Sequence, residues 1–101
     1  MANQAQISEK NGSLEISGEL NVASVMQVLS ASLELLPKCS KLCFDFSKVT
    51  LCDSAGVGLM LQWMKYAKHN SKSIQFKNIP KQLESIIDVS GLKETIQDLI
   101  L

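Results

Sequence analysis

Apolar and polar residues alternate over 42–46. Leu42, Phe44 and Phe46 fall on one face and Cys43 and Asp45 on the other, a period of two that predicts a strand. Beyond Gly56 the period changes. Val57, Met60, Leu61, Met64 and Lys68 recur at i, i+3, i+4, i+7 and i+11, one stripe of a core-facing helix that runs to about His69, where Asn70-Ser71 breaks the pattern. Upstream, residues 5–9 and 13–18 predict two short strands joined at Asn11-Gly12, with Leu14 and Ile16 alternating against Glu15 and Ser17. Val22, Met26, Leu29, Leu33 and Leu36 then recur at steps of four and three up to Pro37, a helix with Asn21 as its expected N-cap. Downstream come a strand over 73–77 and a helix opening at Pro80 as its N1 residue, with Leu83, Ile86, Ile87 and Val89 on its apolar side. Ser90-Gly91 stops that helix, and helical spacing returns over 92–101.

The order β-β-α-β-α-β-α-α predicts a single α/β domain over residues 1–101, with parallel strands joined by crossovers and helices mainly on one face. Ten basic and ten acidic residues cancel, and Lys38, Lys41 and Lys48 lack the interleaved aromatics of a nucleic-acid surface, so no nucleic-acid partner is expected. No stretch approaches the roughly 18 apolar residues of a spanning helix, and residues 1–10 carry no leader pattern; a cytoplasmic protein without direct membrane insertion is expected. Cys39, Cys43 and Cys52 have no CxxC spacing and read as reduced core thiols, with no metal site expected.

The candidate site is the turn Asp53-Ser54-Ala55-Gly56-Val57-Gly58. Asp53 and Ser54 are both good N-caps, since a side-chain oxygen there accepts from an unpaired first-turn amide. Ser54 is either a cap or a hydroxyl presented to a partner at the positive end of the helix dipole, where a phosphate would also be favoured. A second set on the helix, Leu59, Gln62, Trp63 and Tyr66, repeats the spacing on roughly the opposite side from the first. Either another element covers this face or it is an exposed apolar patch. The second reading makes Trp63 the leading partner contact and predicts self-association of the isolated domain.

Catalysis is not expected. The one histidine, His69, falls at the far end of the helix from Ser54, about 22 Å away for some 15 residues. Cys52 has no histidine to activate it. Asp45 and Asp53 could come close at one strand end and hold magnesium, a weak signal without a phosphate loop. Gly56-Val57-Gly58 lacks the third glycine and the lysine of nucleotide fingerprints, and its glycines read as allowing close backbone approach. No cofactor is expected.

Ser17-Gly18-Glu19-Leu20-Asn21, Phe44-Asp45-Phe46-Ser47, the Asp53 turn and Val89-Ser90-Gly91-Leu92 together resemble the STAS domain of sulfate transporters and anti-sigma factor antagonists. The resemblance spans nearly the whole chain and implies a four- to five-stranded mixed sheet with helices on one face. In antagonists of that family the turn reads Asp-Ser/Thr-Ser/Thr-Gly, and a partner kinase that is also the anti-sigma factor phosphorylates the second hydroxyl. Here that position is Ala55, while Ser54 keeps the first hydroxyl. A small residue at the second position is similar to the STAS subunit of Mla-type phospholipid ABC transporters. This implies a non-catalytic accessory subunit that supports the ATPase, and is peripheral to the inner membrane through ATPase and permease. The matching contact positions are Ser54 with Leu59, Trp63 and Tyr66, alongside Asp53, Ala55, Gly56, Gly58 and Gln62. The alternative is an anti-sigma factor antagonist with an altered switch; a nucleotide-binding STAS protein is a third reading with only the glycines behind it.

Overall fold

The computed structural model describes residues 4–101, so residues 1–3 of the expected domain lie outside the described residues. The chain runs β1 (Gln6–Lys10), β2 (Ser13–Leu20), α1 (Val25–Leu35), a 3-10 turn (Leu36–Lys38), β3 (Lys41–Cys52), α2 (Ser54–His69) and β4 (Ser73–Lys77), followed by α3 (Lys81–Val89), α4 (Lys93–Ile96) and a 3-10 turn (Gln97–Leu99). The sheet has the order β1-β2-β3-β4, antiparallel between β1 and β2 and parallel across the other two pairs. This is a mixed α/β fold with a four-stranded sheet.

Local chemistry explains most of this order. Asn11 and Gly12 both take positive φ, +51° and +83°, which a two-residue hairpin turn requires, and Lys10 pairs with Ser13 across it. Gly18 has φ +88° and lies against the backbone of Gln4 and Ala5, so a side chain there would collide with main chain. Leu14, Ile16 and Leu20, then Leu42, Phe44 and Phe46, then Ile74 and Phe76 all point into one buried cluster under the helices. Glu15, Asp45 and Lys77 occupy the alternate, more open face in one row across three strands.

Trp63 is the centre of the core. Its indole stacks on Phe44 at 3.9 Å between ring centroids, Phe46 meets it edge-on at 6.4 Å, and Phe76 completes the cluster against Phe44 at 5.7 Å. The indole Nε1 donates to Ser32 Oγ of α1 at 2.9 Å, and Ser32 Oγ in turn donates to Leu29 O at 2.6 Å. The expected exposed face is thereby corrected: Trp63 is 0% exposed and Leu59 is buried, while Tyr66 is half-buried. The inward side of α2 is Gly56, Leu59, Met60, Trp63 and Ala67; Val57 is also buried, Leu61 and Met64 are half-buried, and Lys68 is exposed. The physical reason is that the sheet beneath offers three phenylalanine rings, and the largest apolar side chain gains most by facing them.

The phase of α1 is also corrected. Val28, Ser32 and Leu36 are buried, whereas Val22 is 79%, Met26 66% and Leu33 51% exposed. Apolar residues cover more of the helix than the sheet can bury. Asn21 does not cap α1 itself. Its Oδ1 accepts from Ala23 N and Ser24 N and so closes the preceding turn, and the helix proper starts at Val25. Pro80 is the N-cap of α3 rather than N1, its carbonyl accepting from Glu84 N at 3.0 Å. β3 continues to Cys52, with register shifts opposite Glu15/Ser17 and Gly18/Glu19. The tail leaves its helical spacing at Ile100, which bridges to Phe76, and Leu101 N donates to Phe76 O.

Two polar devices tie elements together. Lys72 Nζ donates to Leu36 O at 2.8 Å and Cys39 O at 2.6 Å, closing the end of α1 with a cation. Asp45 Oδ1 accepts from Ser47 N at 2.9 Å and Asn78 Nδ2 at 3.0 Å. Partial burial pushes the Asp45 carboxyl up, but the bonds from Asn78 and Ser47 and the charge of Lys77 outweigh it and hold the carboxyl below its ordinary range.

Ser32→Ala leaves the indole N–H buried without an acceptor and is expected to cost about 1–3 kcal/mol in urea denaturation. Trp63→Ala empties the core and is expected to cost about 3–5 kcal/mol; a near-neutral result for both would refute the core assignment. Because the folded-state pKa of Asp45 is depressed, its contribution is present above the unfolded value of about 3.9 and lost as pH falls through the folded value. The stability gap between wild type and Asp45→Asn should therefore shrink as pH falls below that value, and a gap independent of pH would contradict it.

Candidate docking site

The β3–α2 turn sits where two parallel strands end side by side. Leu20 pairs with Cys52, and Asp53 N donates to Leu20 O at 3.0 Å, so the turns after β2 and β3 are bonded to each other. From α3, Gln82 Oε1 accepts from Cys52 N at 3.2 Å and fixes the turn from behind. The neighbouring turn is as well held: Ser24 Oγ accepts from Asn21 N at 3.0 Å and donates to Glu19 O at 2.7 Å.

Asp53 caps α2, its Oδ1 accepting from Ala55 N at 2.8 Å. That settles which residue caps. Ser54 is the first helical residue, exposed, and its hydroxyl has no hydrogen-bond partner among the described residues. The outward line of α2 then runs Ser54, Gly58, Gln62, Lys65 and His69, all exposed, with Leu61 and Ala55 half-buried beside it. The two glycines have opposite roles. A Cβ on Gly56 would be in van der Waals contact with Leu83 Cδ1 at 3.4 Å, so Gly56 lies in the packed seam between α2 and α3. Gly58 faces open space, with nothing within 4 Å of a built Cβ. Gly56 thus faces the packed interior, and Gly58 does not.

Of the expected contact residues, the structure gathers Asp53, Ser54, Ala55, Gly58 and Gln62 on one surface, puts Gly56, Leu59 and Trp63 inside, and leaves Tyr66 on the α1 side of the helix. Val22 and Met26, expected in the core, instead stand exposed beside the Asp53 turn's bonded neighbour. Their missed signal was an apolar arc on α1 too wide for one core face.

The catalytic alternatives separate in space. Ser54 and His69 occupy opposite ends of α2. Burial, and then the charge of Asp53, push the Cys52 thiol up, away from the thiolate. Asp45 turns to Asn78 and Asp53 to Ala55, and the described residues contain no group of three metal-ligating side chains. Cys52 is buried, while Cys39 and Cys43 are half-buried free thiols. No helix among the described residues is long and apolar enough to cross a membrane.

Comparison with known proteins gives a consistent neighbourhood. The family described as "Mlab, STAS domain" matches residues 3–101. The anti-sigma-B factor antagonist of Bacillus subtilis (strain 168) is 26% identical over 88 residues, covering 87% of this chain and 81% of its own. The anti-sigma factor antagonist SpoIIAA in its unphosphorylated form superposes with a TM-score of 0.72 at 20% identity, over 96% of this chain and 85% of that one. An anti-sigma factor antagonist from Mycobacterium paratuberculosis gives 0.66 at 16% identity, over 92% and 81%.

Capping and presentation separate by mutation. Asp53→Ala is expected to cost about 0.5–2 kcal/mol, and Ser54→Ala to stay within about 0.5 kcal/mol of wild type. A destabilised Ser54→Ala would mean that the hydroxyl is structural.

Proposed function

This chain belongs to the STAS-domain family, and from that premise we propose that it is a non-catalytic docking module of the anti-sigma factor antagonist type, binding a protein partner through the Asp53–Ser54 turn and the Gly58 end of the outward line of α2. The observation that carries this reading is Gly58. A glycine inside a helix costs roughly 0.5–1 kcal/mol relative to alanine, and nothing in this fold requires one there. Bare backbone one turn after an unpartnered hydroxyl suits a surface that another backbone must approach closely.

On this reading the partner is a kinase-type anti-sigma factor, as the relatives' names suggest. A second reading is favoured by Ala55, which lacks a hydroxyl where the antagonists' phosphorylated residue falls by resemblance, and by the Mlab description of the matching family. It makes the chain a constitutive accessory subunit of an Mla-type phospholipid ABC transporter, docked by the same surface on the ATPase and through it on the permease, at the cytoplasmic side of the inner membrane. Phosphorylation, if it occurs in either setting, falls on Ser54.

Gly58→Ala is expected to raise stability by about 0.5–1 kcal/mol, while Gly58→Trp and Ser54→Asp fold normally and lose at least about tenfold in partner affinity, or 1.4 kcal/mol. Affinity capture from native lysate with wild type and both variants, read by mass spectrometry, checks this. An anti-sigma factor held by wild type alone supports the first reading, and an ABC ATPase with its permease the second. Equal capture by wild type and variants would overturn the docking surface.

A further inference from the structure

We propose that the groove between the C-terminal halves of α1 and α2 is a second docking site, shaped for an acidic amphipathic helix of a protein partner. The proposal rests on the reading of the chain as a docking module but uses the other end of α2. That helix has sixteen residues, so its ends lie about 22 Å apart at 1.5 Å per residue.

The groove measures about 280 Å³, with Leu29 and Leu33 of α1 on one wall, Tyr66 on the other, Trp63 at its floor, and Lys65 and His69 on its lip. Met26, Leu29 and Leu33 lie within about 60° of arc on α1, and Met26 and Leu33 are largely exposed. Met26 and Leu33 are surplus to the core, Leu29 packs partly against it, and Leu29 and Leu33 line the groove.

Charge identifies the occupant. From Ser54 to Leu83 the chain has no Asp or Glu but five lysines, of which Lys65 lines the groove and Lys72 lies by the Tyr66 ring, while Lys77 is on the open face of the sheet. The ion pair found among the described residues, Lys10–Glu15, involves none of them. Lys72 is taken up by the carbonyls of Leu36 and Cys39 and stands 6.0 Å from the Tyr66 ring. Lys65 and His69 remain free at the lip, while Lys68 lies about 160° around α2 from Tyr66 and off the groove. Glu34, the carboxylate of α1, sits about 100° around the helix from Leu33, on the side away from Leu29. A helix laid between α1 and α2 would bury its apolar face on Leu33 and Tyr66 and set its carboxylates against Lys65 and His69. A concave site with a recessed floor fits a helix better than a flat lipid surface.

Trp63 is the sole tryptophan and lines the groove, so its emission reports occupancy. The probes are a synthetic 18-residue Leu/Glu amphipathic peptide, its Leu/Lys counterpart, and phosphatidylcholine vesicles with and without phosphatidylglycerol. The Leu/Glu peptide is expected to change Trp63 emission and to shift the backbone NMR resonances of Leu33, Tyr66 and His69. Its affinity is expected to fall at least tenfold in the Lys65→Glu, His69→Glu variant, which gains binding to the Leu/Lys peptide. Gly58→Trp, blocked at the Ser54 end, keeps the NMR shifts at Leu33, Tyr66 and His69, the readout for a variant that carries a second tryptophan. Equal response to both peptides, shifts confined outside the groove, loss in Gly58→Trp, or a response to anionic vesicles alone would each overturn the proposal. Such a failure with capture from lysate intact leaves the Ser54 surface standing; loss of that capture specificity with the peptide response retained does the reverse.

Discussion

The stack of Trp63 on Phe44 sets the azimuth of α2, and the rest of the molecule is arranged around it. Trp63 lies nine residues after Ser54, which at about 100° per residue is half a turn away. Pointing the indole at the sheet therefore points Ser54, Gly58 and Lys65 at solvent. The same ring reaches across to α1 through the bond from Nε1 to Ser32 Oγ, so the two helices share one fixed point. A buried indole N–H left without an acceptor is costly, and Ser32, a buried polar residue on an otherwise apolar helix face, has its reason there.

That fixed azimuth gives the turn its chemistry. Asp53 takes the capping duty, and the Leu20 carbonyl and Gln82 side chain hold the backbone before it. Ser54 is then structurally idle. A hydroxyl with no internal partner, followed one turn later by a glycine with no internal neighbour, forms a surface whose cost to the fold is small but whose explanation lies outside it. Gly56, two residues earlier, is buried in contact range of Leu83, so the two glycines stand in different surroundings.

Short-range patterns were legible in the sequence. The Asn11-Gly12 hairpin, the strand over 73–77 and the position of the Asp53 turn all follow from residues within a few places of one another. The end of β3 did not, because Ser47, Lys48 and Thr50 interrupt the alternation where the strand shifts register against β2. Helix phase was the larger error. Both α1 and α2 carry apolar residues around more than half their circumference, so periodicity names two candidate faces, and the choice between them depends on Phe44, Phe46 and Phe76, strands away. Ser32 with Trp63, Gln82 with Cys52, and Lys72 with Leu36 are pairs at 30 or more residues' separation and have no local signature.

The formal neutrality of the chain hides how its charges are placed. Lysine and histidine near the end of α2 have an internal justification, since cations there complement the negative end of the helix dipole. That effect falls off within the last turn. It accounts for Lys68 and His69 and leaves Lys65, a turn earlier and beside an apolar groove, without a structural role. Lys72 shows the alternative: where this fold uses a lysine, the ammonium is bound by two carbonyls at under 3 Å. One rigid helix thus carries two unexplained features at its two ends, neutral and bare at Ser54 and Gly58, cationic and apolar at Lys65 and Tyr66. A single flat contact does not suit both, and a partner that reaches along α2 would have to present different chemistry to each.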